Sequence, residues 1–472
     1  MPGRSNVSSC PQGSGPALPP GEWDPAAGEP PTRGHPAQPE ARGGSLQTAM
    51  QPNPQADSPL SIGYLSPGWP LDGFPNGVVS YIADMVAPLR RMGHQVTVVA
   101  AQITSPEPDP SIYEVDWGYS SRGLVRRLTD WLGYRLWPGR MEGSVLRRLL
   151  LTAIERAIAE RGVQLFEIEE SFGHALWIQR RVPIPVCVRL HGPWFLNGPI
   201  QGIRQDRAFR HRVAAEGRAI AKTDGLTASS HDVLEQTRAY YGLALEDAEV
   251  FYPPTAPVPP GERWRLEACD PARVLFVGRF DRHKGGDLII EAFGRVLQEV
   301  PQAQLWFVGP DSGYPDAQGR RWGLEEFLHD RLPGAVESGR VVLLGQQPFS
   351  ALAALRRQAM VSVVCSRYEN APRALIEVLS LGCPTVAARV GGIPEILQDQ
   401  VDGLLHRPGD PDDLAAQILT LLKDPARAAE LGRHAAAVCE RRFHPKAIAT
   451  RAVAFYRRVI ARRQASRREA AP

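Results

Sequence analysis

The chain has little of what would mark a membrane protein, a disulfide scaffold or a nucleic-acid binder. No apolar run approaches the roughly 20 residues that a spanning helix needs, and the N-terminus lacks the apolar core of a secretory leader. The six cysteines, Cys10, Cys187, Cys269, Cys365, Cys383 and Cys439, are scattered without a C-x-x-C pair. That predicts a reduced, cytoplasmic protein with neither a zinc site nor a disulfide framework. Basic and acidic side chains nearly cancel, 54 against 51 for a net charge of +3, so no excess charge points to nucleic acid. A complete G-x-x-x-x-G-K-[ST] loop is missing. So is G-x-G-x-x-G after the first strand of either half, which weighs against a nicotinamide dehydrogenase.

What is present is enough for two cores, with 472 residues of which 43% are hydrophobic. Residues 1–57 are rich in Pro, Gly, Ser, Gln and Ala and are expected to be a disordered extension, with Met50 as an alternative start. From Leu60 short apolar runs alternate with amphipathic helices, the pattern of parallel βαβ units. The alternation stops at the proline-dense PPTAPVPPG, Pro253 to Gly261, and then restarts. The expected architecture is α/β, with two doubly wound, Rossmann-like domains facing one another. They are placed at 58–252 and 271–440, with a proline-rich linker at 253–270 and a C-terminal helix and basic tail at 441–472. In such sheets ligands sit beyond the carboxyl ends of strands.

Two stretches follow strand ends and carry chemistry. VGRFDRHKGG, Val277 to Gly286, places Gly278, Arg279 and Lys284 before a helix start, where two cations and free amides favour an anion; a solvated charged loop is the plain alternative. SRYENAPRALIEVLSLGCPTVAARVGGIPEI, Ser366 to Ile396, holds Glu369 in a loop and Glu377 on a helix, seven residues intervening, where both could accept hydrogen bonds from a polyhydroxylated ligand. Asn370 reads as the helix cap and Pro372 as a first-turn residue. Arg373, Glu377 and Ser380 form the helix's polar stripe, so Glu377 could equally pair with Arg373 one turn back. DPDD at Asp410 reads as a helix cap rather than a metal-binding Asp-x-Asp.

Taken together, the two glutamates, the upstream VGRF…KGG and the downstream GCPTVAARVGGIPEI resemble the retaining GT-B glycosyltransferases of the GT4-like group, over about residues 60 to 460. The resemblance implies a nucleoside-diphosphate sugar held between two Rossmann-like domains, with no essential metal and no cofactor beyond that co-substrate. It implies that Arg279 and Lys284 neutralise the leaving diphosphate, that Glu369 binds sugar hydroxyls and Glu377 ribose hydroxyls, and that amides around Ala371, Pro372 and Arg373 face phosphate or sugar oxygens. His191, directly after the strand in RLHGP, would line the reacting cleft; a structural hydrogen-bonding role is its alternative. PNGVV matches the family's Gly-Gly loop with Asn76 in place of the first glycine and Gly77 retained, and Asn76 is expected to take the left-handed turn conformation. The acceptor is left unidentified, and a nucleotide-sugar epimerase or a non-catalytic sugar-nucleotide-binding protein are the alternative functions.

One partner question remains in the basic residues. Arg122, Arg126, Arg127, Arg135, Arg140, Arg147 and Arg148 with Trp131 and Trp137, and the tail arginines from Arg457 to Arg468, have the composition of a peripheral contact with anionic lipid at the inner membrane face. Packing of the tail against the protein itself is the alternative.

Overall fold

The computed structural model describes residues 58–469 apart from 75, 105–108, 116–137 and 317, and for 138–145 the backbone alone. The expected extension at 1–57, and Arg122, Arg126, Arg127, Trp131, Arg135, Trp137 and the Arg140 side chain of the basic stretch, therefore lie outside the described residues.

The first half contributes strands β1 (Ser61–Ser66), β2 (Gln95–Ala100), β3 (Ile112–Glu114), β4 (Leu165–Glu169), β5 (Val186–Leu190), β6 (Gly225–Ala228) and β7 (Glu249–Val250). All pair in parallel, in the order β3-β2-β1-β4-β5-β6-β7. The second half contributes β8 (Asp270–Val277), β9 (Gln304–Val308), a small antiparallel hairpin of β10 (Tyr314–Pro315) and β11 (Arg321–Trp322), then β12 (Val341–Gly345), β13 (Ala359–Val364), β14 (Thr385–Ala388) and β15 (Leu404–His406). Its parallel sheet runs β12-β9-β8-β13-β14-β15. All six residues of β1, and all four of β14, are buried, as expected of parallel strands covered by helices on both faces.

In each sheet the chain starts in the middle and the strand order reverses beside the first strand, between β1 and β4 and between β8 and β13. Crevices open at such reversals. Here they bring together the loops after β1, β4 and β5 on one side and those after β8 and β13 on the other. Trp264 in the linker anchors to the second half, its indole donating to the Ala359 carbonyl and its amide to that of Leu381, both at 2.8 Å.

The helix Gly77–Arg91 contains Pro88 in its last turn and continues past it. The C-terminal helix Pro445–Glu469 returns to the first half, burying Ile448, Val453, Phe455, Tyr456 and Val459. Its arginines pair there: Arg458 with Glu249, Arg462 with Asp247 and Arg463 with Asp224. These pairs favour packing over lipid contact for that face of the tail. Asp410 accepts from the amides of Asp412 and Asp413 at 3.0 Å each, so DPDD is a helix cap. Cys187, Cys365, Cys383 and Cys439 are buried free thiols, with Cys269 half-buried. Among the described residues, no helix is long and apolar enough to cross a membrane.

Candidate active site

The loop after β8 is held by Asp281. Its carboxylate accepts from Arg279 Nε and from the Lys284 amide, both at 2.7 Å, so one acid positions both predicted cations. Gly285 follows at φ +74°, and a Cβ there would lie 2.2 Å from the Cys365 carbonyl oxygen. Only glycine permits that approach, which presses the Lys284 loop against the end of β13. Lys284 Nζ consequently reaches Glu369 Oε1 at 2.5 Å, and Ser366 Oγ donates to the same oxygen at 2.8 Å. Burial pushes the Glu369 carboxyl up, but the Lys284 charge, the nearby His283 and these two hydrogen bonds outweigh it and hold it below the usual range. Glu369 is thus an ionised, oriented acceptor.

Asn370 does not cap the helix that follows. Helix Arg373–Ser380 begins at Pro372, which makes no side-chain capping bond. Asn370 stands too early, and its loop is fixed by the Gly392 amide donating to the Glu369 carbonyl at 2.9 Å. A Cβ on Gly392 would fall 1.8 Å from the Asn370 carbonyl oxygen, so this turn too depends on glycine. The Asn370 side chain instead crosses the cleft, its Nδ2 donating to the His191 carbonyl. Pro372 has no N–H, so the expected run of donors from Ala371 to Arg373 lacks its middle member.

Glu377 lies between two guanidinium groups. Arg373 Nε is 2.9 Å from Oε1, the one-turn ion pair read as the alternative, and Arg356 Nη1 donates to Oε2 at 2.8 Å. Ser380, the third member of the helix's polar stripe, is buried. Arg373 also reaches Asp84 Oδ1 on the Gly77–Arg91 helix at 3.2 Å, an ion pair between the two halves.

On the facing side, Glu170 after β4 accepts from the amides of His191 and Gly192 at 3.0 and 2.7 Å. The His191 ring meets Tyr81 edge-on with centroids 5.4 Å apart, and the Arg189 guanidinium covers the Tyr81 ring at 3.6 Å. Burial, and then the Arg189 charge, hold the imidazole well below its ordinary pKa, so His191 is neutral at physiological pH. Asn76 departs from expectation: its φ is −132°, extended, and its side chain caps the helix by accepting from Val78 N at 2.8 Å. Capping needs extended backbone, which explains why asparagine serves there. A Cβ at Gly77 would meet nothing within 4 Å, leaving open space at that helix start.

The structure therefore brings Lys284, Glu369, Asn370 and His191 together, with Arg279, Arg373 and Glu377 alongside. Two acceptors in this cleft, Asn370 Oδ1 and Asp84 Oδ2, are buried without a hydrogen-bond donor in the protein, while Glu377 Oε1 meets Arg373 as an ion pair and makes no aligned hydrogen bond. Buried acceptors of this kind suit a ligand rich in hydroxyl groups. Among the described residues no group of three or more His, Cys, Asp or Glu is arranged to hold a metal. Asp281 and Ser366 were within reach of sequence reasoning, since both lie inside the two motif stretches. Glu170, Asp84 and Arg356 carry no local signal and act only through the fold.

Comparison with known proteins agrees with this geometry. Residues 262–438 match the model for "Glycosyl transferases group 1" and residues 75–257 that for "Glycosyltransferase Family 4". A relative named D-inositol 3-phosphate glycosyltransferase from Geodermatophilus obscurus is 28% identical over 78% of this chain and 83% of its own. Its counterpart from Segniliparus rotundus is 30% identical over 53% of this chain, and the match spans about half, 55%, of that relative's length. Among solved structures, sucrose-phosphate synthase from Thermosynechococcus elongatus superposes with a TM-score of 0.61 at 21% identity, over 85% of this chain and 99% of the other. Anabaena Alr3699/HepE in complex with UDP-glucose gives 0.59 at 18%, over 86% and 100%. Both share the two-domain fold.

Proposed function

Because the chain belongs to the GT-B glycosyltransferases of the group 1 and family 4 kind, we propose that it moves a sugar from a nucleoside-diphosphate donor to an acceptor hydroxyl with retention of anomeric configuration. The observation that carries this reading is the Lys284–Glu369 pair in a cleft where the buried acceptors Asn370 Oδ1 and Asp84 Oδ2 have no donor of their own. UDP and UDP-glucose complexes of the structural neighbour HepE favour a nucleotide sugar as donor.

In the proposed reaction the bond from the anomeric carbon to the diphosphate oxygen breaks with its electron pair staying on the diphosphate. The acceptor oxygen bonds to the same face of the sugar, and its proton passes to the departing diphosphate oxygen. Arg279 and Lys284 meet the charge that develops there, so they stabilise the transition state more than the bound donor. This cationic stabilisation makes the proposed transfer metal-independent. Glu369 accepts sugar hydroxyls, Glu377 the ribose hydroxyls, and amides beside Ala371 and Arg373 face phosphate oxygens. The open helix start at Gly77 gives the diphosphate room to approach. His191, neutral and half-buried, lends a ring edge to the donor sugar or acceptor without competing for the proton.

Release of nucleoside diphosphate, measured across a panel of nucleotide sugars, tests the reading. Lys284→Ala is expected to lower kcat about 100-fold or more, and proton NMR of the product is expected to show the donor's anomeric configuration. Undiminished turnover in Lys284→Ala would refute the diphosphate role. Turnover without any acceptor, giving an epimerised donor, would favour an epimerase.

A further inference from the structure

Glu170 holds the amides of His191 and Gly192, so the residues flanking it at the end of β4 and in the loop that follows start beside the His191 turn. One of them, Phe172, is doubly unfavourable for stability. Its side chain is 50% exposed, and its backbone is left-handed at φ 58°. A non-glycine residue there costs about 1 kcal/mol, and strain of this kind persists where the surroundings enforce it and tends to mark functional sites.

The enforcement is specific. Buried Glu216 accepts from the Phe172 amide at 3.2 Å, from the Trp194 amide at 2.7 Å and from Arg212 Nε at 2.8 Å, so one carboxylate ties the loop after β4 to the loop after β5. The Arg212 guanidinium is sandwiched between the Phe172 ring at 3.9 Å and the Trp194 ring at 3.7 Å. Phe172 is thereby backed by Arg212 and also stacks against the His174 ring, with centroids 5.6 Å apart and 26° between the planes, which leaves half of its side chain exposed as a fixed aromatic plate. Beside it Glu169, the last residue of β4, is half-buried. Burial pushes its carboxyl up to about 7 against the opposing Arg212 charge.

A sugar or cyclitol ring has the complementary surface: C–H bonds on one face pack on an aromatic plane, and hydroxyls at its edge donate to a carboxylate. The donor's diphosphate cations lie on the other sheet, which leaves this plate to the second substrate. We propose that Phe172 and Glu169 form the acceptor subsite, Phe172 stacking under a polyhydroxylated ring and Glu169 accepting one of its hydroxyls. This rests on the glycosyltransferase reading above.

The test is steady-state transfer from UDP-glucose, UDP-N-acetylglucosamine and GDP-mannose to methyl α-glucoside, myo-inositol and D-inositol 3-phosphate, with the best pair then titrated in variants. Phe172→Ala is expected to raise the acceptor KM about five- to tenfold, with donor affinity, read by calorimetry, moving less than twofold. Phe172→Tyr keeps the plate and is expected to restore the acceptor KM, which a purely structural role for the ring would not single out from the donor side. Glu169→Gln is expected to raise the acceptor KM with the same donor affinity. An unchanged acceptor KM in both Phe172→Ala and Glu169→Gln overturns the subsite while leaving the glycosyltransferase reading intact. Wild-type protein that hydrolyses donor yet transfers to none of the three rings also overturns the subsite. Failure to turn over any donor overturns the transferase reading and the subsite with it.

Discussion

Tyr456, near the middle of the C-terminal helix, donates its hydroxyl to Glu167 Oε2 in β4 at 2.9 Å, and its oxygen lies 3.1 Å from that of Tyr64 in β1. The helix that ends the chain is therefore wired into the core of the domain that begins it. Glu167 also accepts from Thr227 at 3.2 Å, and its Oε1 already lacks a donor. Tyr456→Phe removes one of two donors from a buried carboxylate and is expected to cost about 1–3 kcal/mol. A lowered urea midpoint with an unchanged slope checks this; an unshifted midpoint would mean the hydroxyl is not holding the helix down.

A second tie joins the halves at Glu395. Its carboxylate, on the short helix Ile393–Ile396, accepts from the amides of His231 and Asp232 at 2.8 and 2.6 Å and from the Tyr252 hydroxyl at 2.7 Å. It caps the start of helix His231–Tyr241 from the opposite domain, satisfying amides that a helix cannot satisfy itself. Nearby, Tyr368 donates to Asp232 at 2.9 Å across the same junction. Glu395→Ala is expected to lower stability by about 2 kcal/mol and to loosen closure, visible as a larger radius of gyration in solution scattering without donor. A radius equal to wild type would place the tie's effect in stability alone.

Much of this was legible before the fold. Glu369 and Lys284 announce themselves because each follows a strand of strong apolar pattern, and the GT4-like resemblance assigned them to one cleft, where they touch. Other features depend on long-range contacts that no local window contains. Asn370 reads as a cap because its residue type favours capping; that its amide would instead cross to His191, 179 positions away, depends on how the two sheets face each other. The same holds for Arg356, which reaches Glu377 from the preceding helix. β3 and β15 have three residues each, too short for an alternating pattern to show.

Asp84 gives the interdomain cleft a pH dependence. Burial pushes its carboxyl up to about 7 from an ordinary 3.8, against the opposing charge of Arg373 and with a smaller push from Glu377. A carboxyl raised in the folded state favours folding when protonated, so its contribution is full below 3.8 and lost as pH rises through about 7. Asp84→Asn cannot ionise and should escape that loss. With a fifth of the side chain still exposed, the gain is discounted for solvent to about 2 kcal/mol. The variant is expected to be more stable than wild type at pH 8 and nearly equal at pH 4. Parallel melting curves at both pH values would contradict the assignment.

Glu369 behaves in the opposite sense. Its carboxyl is held below its ordinary 4.5, because the Lys284 charge, with His283 and two hydrogen bonds, outweighs burial. A lowered carboxyl stabilises the fold above 4.5, and that contribution disappears as pH falls further. Glu369→Gln should thus be less stable than wild type at neutral pH and converge with it in acid, while kcat falls about 100-fold at pH 7 from the lost sugar contact. Because Lys284 and Glu369 touch, their effects should not add. Lys284→Ala leaves a half-satisfied buried carboxylate and Glu369→Gln leaves an unpaired ammonium, whereas the double variant leaves neither. The double variant is expected to be more stable than the sum of the singles by about 1–3 kcal/mol. Strict additivity would mean that the two groups do not pair in solution.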